Sequence, residues 1–153
     1  MSRIYRNYNK YHMINNMQGN TDYRNIQDCG SDFFSTDINK IVINNENFLS
    51  TLWTGNNLQV TLMCINPKEC IGTEVHSNAD QFFMIVSGNG MIVMGNNQNM
   101  FEYKSKLEKG TIAIVPAGKW HNVMNIGDTP LKLFSIYAPP QHKKGIIHKV
   151  KEN

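Results

Sequence analysis

The chain has 153 residues, of which 41% are apolar, and a formal net charge of +3. That is enough for one domain with a sizeable core. No apolar run approaches ~18 residues, so no membrane partner is expected. The positive charge is scattered: Arg3, Arg6 and Lys10 lie in front, and Lys143, Lys144, Lys149 and Lys151 behind. No basic–aromatic groove pattern accompanies them, which argues against nucleic acid. The opening MSRIYRNYNKYHM has no apolar stretch of the kind a secretory signal needs. The cysteines Cys29, Cys64 and Cys70 are odd in number and lack CxxC spacing. Both features point to a reducing, cytoplasmic setting.

Residues 1–36 stand apart. Tyr5, Asn7, Tyr8, Asn9, Tyr11, Asn15 and Asn16 recur without apolar periodicity. This reads as an N-terminal extension, disordered alone or ordered by docking. Residues 37–153 read as one β domain. From Ile41 onward the segments FLSTLWT, LQVTLMCI, QFFMIVS, GMIVMG, TIAIVP, HNVMNI and LKLFSIY are short and rich in Val, Ile, Phe and Tyr. Turn clusters such as SGNG, GNNQN, AGK and GDTP separate them. No amphipathic helix is expected; Glu102 to Lys109 suits one helical turn or an exposed loop. Gly88 and Gly90 read as turn glycines needing positive φ. Many short strands predict an antiparallel sandwich or barrel. Phe82, Met84 and Val86 alternate with Gln81, Phe83 and Ile85, and form an outward apolar stripe that should be covered. His142 and His148, in the C-terminal segment, are expected to be solvated.

Two stretches carry chemistry. In GTIAIVPAGKWHNVMN, residues 110–125, a strand breaks at Pro116 and Gly118 and resumes at Trp120, so His121 follows a tight corner. In GTEVHSNADQFFMIVSGNG, residues 72–90, Glu74 and His76 are two apart and share a strand face, and Gln81 opens the next strand. If that face is the barrel interior, Glu74, His76, Gln81 and His121 meet there.

These residues resemble the cupins. The second cupin motif runs Gly, five residues, Pro, four residues, His, three residues, Asn, and Gly110, Pro116, His121 and Asn125 match it throughout. The first motif is matched in spacing by Glu74, His76, Gln81 and Gly88, with variant identities: Glu74 replaces the first histidine and Gln81 the usual glutamate. The resemblance implies an all-β double-stranded β-helix (a jelly-roll barrel) from about Ile41 to Val150, and a homodimer. It also implies one divalent metal held by Glu74, His76 and His121, with Gln81 as a weak fourth ligand or a hydrogen-bonding neighbour. Two imidazoles and a carboxylate suit Fe(II) and tolerate Zn, Mn or Ni. A polar pocket without metal, in which Glu74 and Gln81 hydrogen-bond the imidazoles, is the competing reading.

Two functions follow from the resemblance. One is a small metal-dependent enzyme, of dioxygenase, isomerase or lyase type, acting on a small molecule, with Glu74 as an alternative general base. The other is a non-catalytic small-molecule-binding or structural module. The Tyr/Asn-rich leader is loosely similar in composition to those of some coat-associated proteins of spore formers.

Overall fold

A computed structural model describes residues 27–151; the earlier part of the N-terminal extension lies outside the described residues. After helix α1 (Ile38–Asn44) the described chain is built of strands: β1 (Leu49–Thr54), β2 (Gln59–Ile65), β3 (Glu74–Val75), β4 (Asp80–Ser87), β5 (Gly90–Gly95), β6 (Tyr103–Leu107), β7 (Ile112–Val115), β8 (Trp120–Asn125), β9 (Leu131–Ala138) and β10 (Ile147–His148). They form a six-stranded sheet, β10-β1-β2-β9-β4-β7, and a four-stranded sheet, β3-β8-β5-β6. Every named pairing is antiparallel. This is the jelly-roll barrel expected from the sequence.

Period-two alternation sets which side chains enter the barrel. Phe83 and Ile85 of β4, Leu131 and Leu133 of β9, Val123 of β8 and Ile92 of β5 are essentially inaccessible and pack between the sheets. Burying each such side chain contributes about 2 kcal/mol relative to leaving it in water. The same alternation carries polar residues inward at one end. Gln81, Ser135, Tyr137 and His121 are buried on the strands that carry the apolar core.

Helix α1 departs from the sequence expectation. Asp37 caps it, its Oδ1 accepting from the N–H groups of Asn39 (3.1 Å) and Lys40 (3.2 Å). Ile38, Ile41 and Val42 then lie on one face and pack against Leu52, Leu62 and Val86. Seven residues dominated by Ile and Val carry weak helix propensity, so the segment reads as strand until the sheet supplies a surface for it. The helix also answers part of the outward stripe: Val86 is covered by α1, while Phe82 and Met84 are half-buried.

Two further expectations are corrected. Residues 103–107, within the Glu102–Lys109 stretch read as a helical turn or loop, form edge strand β6, paired with β5 from Gly90↔Leu107 to Met94↔Tyr103. Its one buried residue is Leu107, and its exposed lysines Lys104 and Lys106 suit an unpaired edge. Gly88 does adopt φ +90, but Gly90 is not in the left-handed region. A Cβ at Gly90 would come within 2.6 Å of Leu131 Cδ2, so close packing requires that glycine.

Candidate metal centre and its mouth

Strand β3 is only two residues long, yet it places the cluster. Glu74 pairs directly with His121 of β8, so both side chains leave the sheet on one face. His76 follows β3, and its carbonyl accepts from Gly118 N–H at 2.8 Å. Gly118 has φ +77, a conformation that suits glycine in this tight corner. Asp80 Oδ1 accepts from Ala117 N–H at 2.9 Å, and Lys119 N–H reaches Pro116 O at 3.2 Å. The corner between β7 and β8 is thus tied to the segment that carries His76.

The result is a convergent trio. Glu74 Oε1 lies 3.2 Å from His121 Nε2 and 3.4 Å from His76 Nε2. The ligand atoms of Glu74, His76 and His121 all lie within 4.8 Å of one another. Side-chain exposure rises from 0% at His121 through 14% at His76 to 35% at Glu74, so the trio opens on the Glu74 side.

Hydrogen bonding fixes one tautomer. His121 Nδ1 lies 3.2 Å from the carbonyl of Lys119, which can only accept, so Nδ1 carries the proton. His121 Nε2 then faces the Glu74 carboxylate. His76 Nε2 is buried without a hydrogen-bond partner, because its approach to Glu74 falls outside hydrogen-bond geometry. Burial pushes the Glu74 carboxyl up. The hydrogen bond with His121, the close approach of His76 and attraction to both rings outweigh burial and hold it down at about 2. An anionic oxygen facing two ring nitrogens calls for a positive charge between them, either an imidazolium proton or a cation. Two imidazoles and a carboxylate are a donor set that fits a divalent transition ion.

Gln81 is buried on β4. It pairs with Tyr137, whose ring meets the His76 ring at 5.2 Å, edge to face. Gln81 Nε2 donates to Ser135 Oγ at 3.1 Å, and Oε1 is a buried acceptor with no protein partner. Asn125, the last residue of the second motif, lies away from the trio. Its Nδ2 donates to Ile65 O and Thr129 O, both at 2.8 Å, and its Oδ1 accepts from Gly127 N–H at 2.9 Å. Because β2 and β8 belong to different sheets, Asn125 staples the two sheets at one end.

The expectation that His142 and His148 are solvated is corrected. His142 packs edge-on against Tyr137, with ring centroids 5.0 Å apart, and its Nε2 is buried without a partner. Burial holds its imidazole below the ordinary range. The fully buried Gln59 makes this placement: its Nε2 donates to His142 O at 2.8 Å, and its Oε1 accepts from His142 N–H at 2.9 Å and Gln141 N–H at 3.2 Å. His148 is half-buried and pairs with Leu49 across β10 and β1. The sequence held one signal for this, a carboxamide inside the apolar segment LQVTLMCI that needs backbone partners once buried.

A jelly-roll barrel with inward Glu and His side chains is the architecture of a cupin, and the chain belongs to the cupin family: the family's cupin-domain model matches residues 61–137. The chain is 41% identical over 144 residues to the uncharacterized protein YrkC of Bacillus subtilis (strain 168), covering 93% of this chain and 77% of that one. It also resembles the crystal structure of BH2720 from Bacillus halodurans, with a TM-score of 0.81 and 43% identity over 82% of this chain and 96% of that one. A double-stranded β-helix protein from Klebsiella pneumoniae shares the fold at a TM-score of 0.55 and 26% identity, over 69% of this chain and 86% of that one.

Proposed function

We propose that this cupin is a small metal-dependent enzyme of dioxygenase, isomerase or lyase type, acting on a small molecule inside the barrel. The observation that carries the proposal is the approach of His121 Nε2 and His76 Nε2 to one Glu74 oxygen, at 3.2 and 3.4 Å. Glu74, His76 and His121 would hold one divalent ion (Fe, Zn, Mn or Ni), and Gln81 would offer its unpartnered Oε1 as a weak fourth donor or as a hydrogen-bond acceptor beside them. Such an ion supplies Lewis-acid or redox chemistry when bound. The chain's own part is to hold His121 in one tautomer through Lys119 O and to keep Glu74 anionic. Alternatively, Glu74, the most open of the three, would serve as general base and leave the ion to the other residues. The apolar lining deeper in the barrel excludes water, and this strengthens each of these interactions.

A non-catalytic binding or structural module is the second reading. One observation favours it: both ring nitrogens of His121 already face protein acceptors, as in a polar pocket satisfied without metal. Elemental analysis after equal metal exposure separates the two. Wild type should retain about one divalent ion per chain and His121→Ala should lose most of it. Equal metal in both, or none in either, sinks the metal reading. Oxygen uptake and product analysis with small catechols, diketones and sugar phosphates then test for turnover.

We further propose a homodimer formed through the six-stranded sheet. Its edge strand β7 exposes Ile112 and Ile114 at 52% and 58%, beside half-buried Phe82 and Met84. Among the described residues no helix is long and apolar enough to cross a membrane, and Cys29, Cys64 and Cys70 are free thiols. Free thiols support a cytoplasmic location. We also propose a division into an N-terminal extension, 1–36, and a barrel domain, 37–153. Cys29 N–H donates to Leu52 O at 2.9 Å and Trp53 Nε1 to Asp32 O at 2.9 Å, which supports docking of the later part of the extension.

A further inference from the structure

Beyond the trio lies a cavity of about 170 Å³. Glu74 and Tyr137 border it on the barrel side, with Leu49 and Met63 among its apolar wall. His142, His148 and Lys151 close the other side, and all three come from the C-terminal segment. That segment is held by backbone bonds. β10 pairs with β1 through Leu49↔His148 and Ser50↔Ile147, Phe48 N–H reaches Lys149 O at 3.3 Å, and Gln59 clamps the backbone at His142. Lys151 is exposed at the rim, with Nζ 3.7 Å from Cys70 Sγ.

The lining carries one carboxylate, Glu74, and one ammonium, Lys151. Glu74 Oε1 is directed at the two imidazoles of the trio, whereas Lys151 stands at the rim. A divalent ion on the trio would leave the mouth net positive. Two polar aromatic side chains line this space: Tyr137, with its phenol, and His142, whose Nε2 is buried without a partner. At about 30 Å³ per water, the cavity holds about five or six water-sized groups.

We propose that this cavity seats a short aliphatic carboxylate, its chain against Leu49 and Met63 and its carboxylate against Lys151, His142 and Tyr137. The inference rests on the reading of Glu74, His76 and His121 as the reactive centre and names the class of molecule presented to it. Lys151 and His142 are then substrate-binding residues supplied by the C-terminal segment.

Calorimetric titration of the full-length, metal-exposed protein with butyrate and with its uncharged isostere butyramide tests this. Butyrate should bind at least tenfold more tightly than butyramide. Lys151→Met should weaken butyrate about tenfold, the loss of one charge-assisted contact, and leave butyramide unchanged. His142→Phe keeps an aromatic ring against Tyr137 and should weaken butyrate without changing the fold by circular dichroism. Equal affinity for the two ligands, butyrate binding unaltered in Lys151→Met, or no butyrate binding to the wild type each overturns the proposal. Elemental analysis of the same samples reads the metal separately. A wild type without metal that still prefers butyrate through Lys151 refutes the metal centre and leaves the carboxylate pocket standing.

Discussion

Asn125→Ala should be among the most costly polar substitutions in the barrel, although Asn125 touches none of the trio. Its side chain makes three hydrogen bonds: to Ile65 O and Thr129 O at 2.8 Å each, and from Gly127 N–H at 2.9 Å. Asn125 is 4% exposed and Ile65 is fully buried, so water cannot replace the bond to Ile65 without opening the barrel end. At about 1 kcal/mol per bond, and more for the orphaned Ile65 carbonyl, the loss is about 3 kcal/mol. For a domain of this size that corresponds to a fall in Tm of roughly 10 °C. Asn125→Asp sharpens the test. It keeps the acceptor for Gly127 but turns an anionic oxygen toward two carbonyl oxygens, so at neutral pH it should destabilise at least as much as alanine. Acidification protonates the new carboxyl and should return part of the loss, which alanine cannot do. Thermal unfolding of the three proteins at pH 7 and pH 4 reads both effects. An Asp variant as stable as wild type at pH 7 would refute the staple, as would an alanine variant whose Tm falls by less than about 2 °C.

Gln81→Ala should lower metal affinity by about 10–100-fold if Gln81 supports the ligands without binding the ion. Gln81→Glu should retain metal more strongly through its added charge; chelator competition ranks the three proteins, and an unchanged ranking removes Gln81 from the site. Asp28 ties the N-terminal segment to β1, accepting from Thr54 Oγ1 at 2.6 Å and Gly30 N–H at 2.9 Å. Burial pushes its carboxyl up, but these hydrogen bonds, with Thr51 and Gly145, hold it below the ordinary 3.8. Its contribution is therefore fully present above about pH 4 and drains away as pH falls through the lower folded value. Thermal melts between pH 6 and pH 2.5 should show a shallower acid limb in Asp28→Asn; parallel limbs would remove Asp28 as a source of acid lability. Light scattering at micromolar concentration should give a dimer for wild type and a monomer for Ile114→Asp, and a monomeric wild type ends the dimer proposal.

Much of this protein is local pattern, and local pattern is legible in sequence. Alternation in QFFMIVS and LKLFSIY specifies which face of β4 and β9 is buried, because a strand sends successive side chains to opposite sides whatever it pairs with. The interval from Gly110 to Asn125 marks a strand, a corner and a strand, because Pro116 and Gly118 interrupt the β run there. Glu74, His76 and His121 were legible as partners through their spacing and their likeness to the cupin motifs. Other features depend on surfaces that exist only after folding. Helix α1 forms from β-branched residues because the outer sheet face rewards Ile41 and Val42, a gain larger than their helix penalty. Strand β6 forms from a charged stretch because β5 offers it a backbone edge. His142 enters the mouth of the barrel because Gln59, 83 residues earlier, holds its backbone. Charge, periodicity and turn chemistry act over a few residues and can be read in order. Burial of an imidazole, or the folding of a C-terminal segment over a cavity, depends on which distant residues become neighbours, and only the tertiary structure decides that.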